Sequence, residues 1–276
     1  MFCLKQGHNL FLDDKYELIV SKRYSVSVFA AENLLGTTAV VYVLTEPLEV
    51  RQMQALAQEE RAPATCFLQL NDNNSINVRF FNTSHEILLC GHGLLACARV
   101  LTDYGFHSMT IKTVSDKVQV EVQSDSSVWV KFSELVAEPD LAPDWIATCL
   151  SVPPADVSRA GPSNGYWVME WPADFDLSSL VINSDVLKSS TQRALIATQK
   201  SNRNKLDYCF RYFAPQHGVT EDKATGSANR VLTSYWSKKL GKPEVNALQL
   251  SPGGAFLKGR FEHGAVWISG NVFIDG

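Results

Sequence analysis

At 276 residues the chain exceeds the usual size of one domain, so two domains are expected. Apolar residues at 45% and charged residues at 20% exclude a disordered, collagenous or coiled-coil protein. With 25 Lys+Arg against 29 Asp+Glu, a formal charge of −4 and no basic block, nucleic acid is excluded as a partner.

The first residues, MFCLKQGHNLFLDDK, lack a sustained apolar run and carry aspartates where a cleavage site would lie, so a cytoplasmic location is expected. The longest apolar stretch, TTAVVYVLT, is about half of the roughly 20 residues that cross a bilayer, so no membrane span is expected. Six cysteines at positions 3, 66, 90, 97, 149 and 209 form no CxxC pair and read as reduced thiols.

SVSVFA and AVVYVL read as strands, and LEVRQMQALAQEER as an amphipathic helix. CFLQL and INVRFF then flank the turn NDNNS as a hairpin. LLACARVLTDYG has helical spacing, and MTIKT, VQVEV and VWVKF alternate as strands. Between Leu135 and Asp144 the stretch AEPDLAPD has two prolines and no periodicity, which marks it as the domain boundary. Beyond it, YWVMEW reads as a strand, SDVLKSSTQRALIATQK as a helix, YCFRYFA as a strand and SANRVLTSYW as a helix. The fold class is therefore α+β.

The second half repeats the first. Arg79-Phe80-Phe81 answers Arg211-Tyr212-Phe213 at an offset of 132, and Arg99-Val100-Leu101 answers Arg230-Val231-Leu232 at an offset of 131. Each Arg-aromatic-Phe strand leads through a small-residue loop to a helix, expected to begin after Gly91-His92-Gly93 in one half and after Thr225-Gly226-Ser227 in the other. Two such helix starts facing one cleft would hold a carboxylate on free N–H groups and dipole ends, without metal or lysine.

Cys90 ends an apolar run just before a helix start, where the dipole would favour a thiolate usable as base or nucleophile; a buried structural thiol is the other reading. His92 lies inside the turn, where an imidazole can titrate near neutrality; a satisfied loop histidine is the other reading. Asp222, like Glu221, is either a helix cap or an acid/base group. Gly91-x-Gly93-x-x-Ala96 matches a dinucleotide fingerprint formally, but no acidic residue follows at the required distance. His85, Cys90 and His92 do not have zinc-site spacing, and no G-x-S-x-G or GxxxxGK[ST] segment occurs.

RYFAPQHGVTEDKATGSANRVLTSYW resembles the signature R-x-F-x-P-x-x-G-x-x-E-D-P-V-T-G-S-A of the PhzF, or phenazine biosynthesis-like, family. RFFNTSHEILLCGHGLLACARVL resembles that family's second signature, R-F-F-T-P-x-x-E-x-x-x-C-G-H-A-T. The resemblance implies the diaminopimelate-epimerase fold: two pseudo-symmetric α+β domains, each a mixed sheet wrapped around a central helix, with the ligand between them. It places the first domain at 23–134 with the C-terminal strand 264–276, the second at 135–263, and an N-terminal extension at 1–22.

It also implies cofactor-independent isomerisation or epimerisation, by proton transfer, of a small carboxylate-bearing metabolite. His92 and Asp222, with Cys90, are the expected proton-transfer set; Gly91, Gly93, Thr225, Gly226 and Ser227 are the expected substrate-binding residues, and a homodimer is the expected assembly.

Several positions depart from the pattern. Ala64, in Pro63-Ala64-Thr65-Cys66-Phe67, stands where the family has its general-base glutamate, and Lys223 replaces a proline. Glu59 and Glu60 are the nearest other carboxylates, expected on the solvated end of their helix. CGHG also resembles the first cysteine motif of diaminopimelate epimerase and proline racemase, but the second thiol, expected near Lys223 or Ala224, is missing. Two further readings therefore stand beside the isomerase: a silent family member that binds a small acid, and a thiol-dependent epimerase using Cys90.

Overall fold

The computed structural model describes residues 20–71, 75–125 and 127–275. Most of the expected N-terminal extension, Cys3 with it, and the centre of the NDNNS turn lie outside the described residues. The first half runs β1 (Val20–Val28), β2 (Thr37–Leu44), α1 (Val50–Glu60), β3 (Ala64–Leu70), β4 (Ile76–Phe81), β5 (Glu86–Ile87), α2 (Gly91–Thr102), β6 (Ser108–Lys112), β7 (Lys117–Val122) and β8 (Val128–Ser133). The second runs β9 (Ala137–Pro139), α3 (Ile146–Cys149), β10 (Asp156–Ala160), β11 (Tyr166–Trp171), α4 (Ser184–Ser190), β12 (Ala194–Lys200), β13 (Tyr208–Phe213), α5 (Gly226–Leu240), β14 (Glu244–Gln249), β15 (Ala255–Glu262), β16 (Ala265–Ser269) and β17 (Val272–Ile274).

The duplication seen in sequence is a duplication of topology. In the first half β1–β2 is antiparallel, β2–β3 parallel, β3–β4 antiparallel, β4–β6 parallel, and β6–β7–β8 antiparallel. The second half follows the same order through β10, β11, β12, β13, β14, β15 and β16. Each half has one helix after its second strand, α1 or α4, and one after its fourth, α2 or α5. Two short strands complete the sheet: β9, which opens the second half, pairs with β10, and β17, at the end of the second half, pairs back with β1 of the first. The seam is β8 against β16, antiparallel, with Val130 opposite Ile268.

Alternation of side chains sorts the strands into two faces. Val41, Val43, Ala64, Cys66 and Leu68 point to α2 and share a buried cluster with α5. Tyr42, Leu44 and Phe67 point to the other face, where Met53, Leu56 and Ala57 of α1 cover them. α2 is apolar almost all round, with Leu94, Ala96, Cys97, Ala98, Val100 and Leu101 fully buried, as expected of a helix enclosed by its sheet.

One sequence assignment needs correction. Only the first part of SDVLKSSTQRALIATQK is helical; Ala194–Lys200 is strand β12. It lies between parallel β11 and antiparallel β13, buried on both faces, with Leu195 and Ala197 in one cluster and Ile196 in another. A strand covered on both sides shows no two-residue alternation, so its apolar run is read as helical.

Candidate active site

Both central helices begin at a glycine, not after the glycine turn as the sequence suggests. α2 starts at Gly91 and α5 at Gly226, after the extended residues Cys90 and Thr225. The two starts abut: a β-carbon built on Gly91 would lie 3.7 Å from the Cα of Gly226. Aligned on these starts, Thr225 is the counterpart of Cys90, so the position of the absent second thiol holds a hydroxyl and does not fall at Lys223 or Ala224.

Neither Cys90 nor Thr225 caps its helix with its side chain. The first helical bonds run from Leu94 N–H to Cys90 O and from Asn229 N–H to Thr225 O. Among the described residues, the N–H groups of Gly91, His92, Gly93, Gly226, Ser227 and Ala228 therefore meet no backbone acceptor. By contrast, the start of α4 is closed by Asn183 Oδ1, which accepts from Val186 N–H.

Each loop leading to a helix start is held by the repeated arginine. Arg79 forms a bidentate pair with Glu86 at 2.7 Å on both arms and lies over Phe81. Arg211 repeats this with Glu221, at 2.7 and 2.8 Å, and lies over Phe213. Glu221 is thus an anchor of the loop. The other sequence match, Arg99 with Arg230, is not a structural equivalence. Arg99 bonds Thr102 and Asp103 at the end of α2, whereas Arg230 lies one turn into α5.

Asp222 is fixed beside the start of α5. Its Oδ2 accepts from Thr225 Oγ1 at 2.6 Å, its Oδ1 from Lys223 N–H at 2.9 Å, and its own N–H donates to Tyr212 O at 3.0 Å. The fully buried Gln249 locks this loop, donating to Asp222 O at 2.7 Å and accepting from Thr225 N–H at 2.7 Å.

His92 stands on the first turn of α2, its Nδ1 3.5 Å from Cys90 Sγ. Burial disfavours its imidazolium, but Cys90 and Asp222 outweigh that cost and hold its pKa above the ordinary histidine value. Tyr212, by the carboxylate, has its phenol pushed up by burial and by the nearby Tyr166 and Asp222.

The remaining expected site residues have separate surroundings. Ser227 is exposed at the helix start. Gly93 is a packing glycine: a β-carbon there would lie 2.8 Å from Phe80 Cδ1 and 3.0 Å from Cys66 Sγ. Gly93→Ala is expected to cost about 2 kcal/mol by overpacking and to lower the melting temperature by about 5 °C in a calorimetric scan.

Ala64 is fully buried on the α2 face of its strand. Glu60 is not on a solvated helix end. Its side chain is only 5% exposed, bonded at 2.7 and 2.6 Å by Arg23 and also by the Tyr42 hydroxyl. Because Tyr42 faces α1, Glu60 lies on the opposite side of the sheet from Ala64 and cannot take its place.

Gln249, Tyr212 and Tyr166 were not marked as site residues by sequence. Tyr212 carried a signal, as the middle residue of the repeated Arg-aromatic-Phe strand. Gln249 carried none, since it reaches the loop from 27 residues away. Among the described residues, no three His, Cys, Asp or Glu side chains group as metal ligands, and no helix is long and apolar enough to cross a membrane.

The phenazine biosynthesis-like family, PhzC-PhzF, matches residues 26–138 and 155–260. A protein of Halalkalibacterium halodurans named as an uncharacterized isomerase is 30% identical, covering 90% of this chain and 94% of its own. A phenazine biosynthesis-like domain-containing protein of Bos taurus is 29% identical, covering 85% and 89%. The crystal structure of a PhzF-family protein from Enterococcus faecalis superposes with a TM-score of 0.82 at 26% identity, covering 92% of this chain and 96% of that one.

A hydroxyproline epimerase of Agrobacterium vitis, solved with trans-4-hydroxy-L-proline bound, shares the fold at 10% identity, with a TM-score of 0.56 and coverage of 95% and 92%. The α+β epimerase-type fold class expected from sequence therefore holds. The chain belongs to the phenazine biosynthesis-like, PhzC-PhzF, family.

Proposed function

We propose that the protein is a cofactor-independent isomerase that moves a proton next to the carboxylate of a small metabolite. The observation that carries this reading is the meeting of two uncapped helix starts, one bearing His92 and the other preceded by Asp222. The ligand carboxylate lies on the free N–H groups of both first turns, where the two helix dipoles offset its charge and acidify the adjacent C–H. Asp222 takes the proton, and His92, with its raised pKa, returns one to another position or face. Cys90 orients the imidazole through its contact with Nδ1.

The naming of the relatives as isomerases supports the reaction class. The domain division belongs to the same proposal: 23–134 with 264–276 on one side of the cleft, and 135–263 on the other. Ala64 favours a second reading, a silent member that binds a small acid, because alanine cannot move a proton. Incubation with amino and cyclic acids in heavy water, followed by NMR, separates the two. Loss of one C–H signal next to a carboxylate is expected. Tight binding of an acid with no exchange across the panel would establish the silent binder instead.

A further inference from the structure

A second cleft lies between β7, β8, the first turns of α5 and the β15–β16 turn. Its volume is about 630 Å³, and its lining includes Lys117, Lys131, Phe132, Ser133, Arg230 and His263. Neither His92 nor Asp222 lines it. The cleft carries three fixed cations against one carboxylate, Asp116, in a protein whose formal charge is −4.

Arg230 lines this cleft. Of the other partly buried arginines, 79, 99, 211 and 260 each face a carboxylate, and Arg193 is held by the carbonyls of Ala160 and Gly161. Arg230 pairs with none among the described residues, although burial is costly enough to pull its pKa down. Its Nε donates to Ser133 O at 2.8 Å, and its guanidinium lies 5.8 Å over the Phe132 ring. These two contacts hold the group in place while using one of its five donors. The remaining N–H groups form a fork with the geometry that a two-oxygen anion accepts.

Two lysines also line the cleft. Lys131 Nζ is held by Gln119 Oε1 at 2.9 Å and lies over Trp267. Lys117 is exposed at the start of β7. Phe132 and Leu89 add an apolar wall beside the cations. The local field thus attracts anions while the walls suit an organic body of small-molecule size.

We infer that this cleft is a binding site for a small organic anion, whose carboxylate or phosphoryl group is held by the Arg230 guanidinium and flanked by Lys117 and Lys131. It uses none of the proton-transfer residues, so it stands or falls independently of the isomerase reading.

The test is titration of the ¹⁵N-labelled protein with benzoate and, separately, inorganic phosphate at constant ionic strength, following the arginine Nε–H resonances. A saturable shift of the Arg230 signal is expected with at least one of them. Benzoate alone would identify a carboxylate site with its apolar wall, phosphate alone a phosphoryl site. Arg230→Gln, followed through the backbone amide resonances of Phe132 and Ser133, is expected to weaken binding about tenfold or more, as loss of a charge-assisted fork requires. Because Arg230 also ties α5 to β8, Lys117→Ala serves as the variant on an exposed side chain, with an expected weakening of about threefold. Absence of a saturable Arg230 shift with both anions, or unchanged affinity in both variants, would overturn the inference.

Discussion

Asp222→Asn is expected to lower heavy-water exchange by about 10² to 10⁴-fold, the usual contribution of a positioned acid or base. The substitution keeps the shape of the side chain: its oxygen still accepts from Lys223 N–H and its NH2 donates to Thr225 Oγ1, while Gln249 still holds the loop through backbone groups. The loss would therefore be one of proton acceptance, with the melting temperature changing little.

A second readout separates this from simple distortion. The Asp222 carboxylate is one of the groups that raise the His92 pKa, so its neutralisation must lower that pKa, which an NMR titration of the imidazole protons detects. The sign also sets a pH dependence of stability. A histidine whose folded pKa is raised contributes stability fully present below its unfolded pKa and lost as pH rises through the folded pKa. Asp222→Asn should flatten that dependence. Full exchange activity in Asp222→Asn, with an unmoved His92 titration, would remove Asp222 from the mechanism.

Ala64→Glu is the second substitution with a large expected effect. Sequence alone suggests that it restores a missing base and raises exchange. Burial argues the other way. Ala64 is fully enclosed in the α2 cluster with Cys66 and Leu68, and Glu60 is committed to Arg23 and Tyr42 across the sheet. A carboxyl group placed there has to displace packed side chains and lose its hydration. The expected cost is about 3 kcal/mol, or roughly 10 °C in melting temperature. Its pKa would rise, leaving it protonated and unable to act as a base at neutral pH. Thermal unfolding and exchange rates of the variant check both statements. Faster exchange in a stably folded Ala64→Glu protein would show that the position opens to the cleft and that a carboxylate there can be charged.

Local pattern was enough for most of the architecture. Alternating runs such as MTIKT and VQVEV could only be half-buried strands, and the repeated Arg-aromatic-Phe strands before small-residue turns announced the duplication, because each side chain's face follows from its own backbone period. The positions of His92, Asp222 and Thr225 were legible for the same reason: they sit in motifs a few residues long. Relations between distant residues were not legible. β12 looked helical until its two neighbouring strands were known, and Glu60 looked solvated until Arg23 and Tyr42 closed over it.

The sequence by itself thus determined most element types, the two-fold repeat and the family likeness. Only the tertiary structure decided that the two glycine starts touch, that Gln249 locks the Asp222 loop, and that Gly93 serves packing. It alone also placed Arg230 in a cleft, bonded to Ser133 O and without an ion pair among the described residues. The division has a physical cause. Backbone periodicity and turn chemistry act over a few residues, whereas burial, charge pairing and helix-to-helix contact depend on which strands pair, and here those pairings join residues up to 248 positions apart, as in β1 with β17.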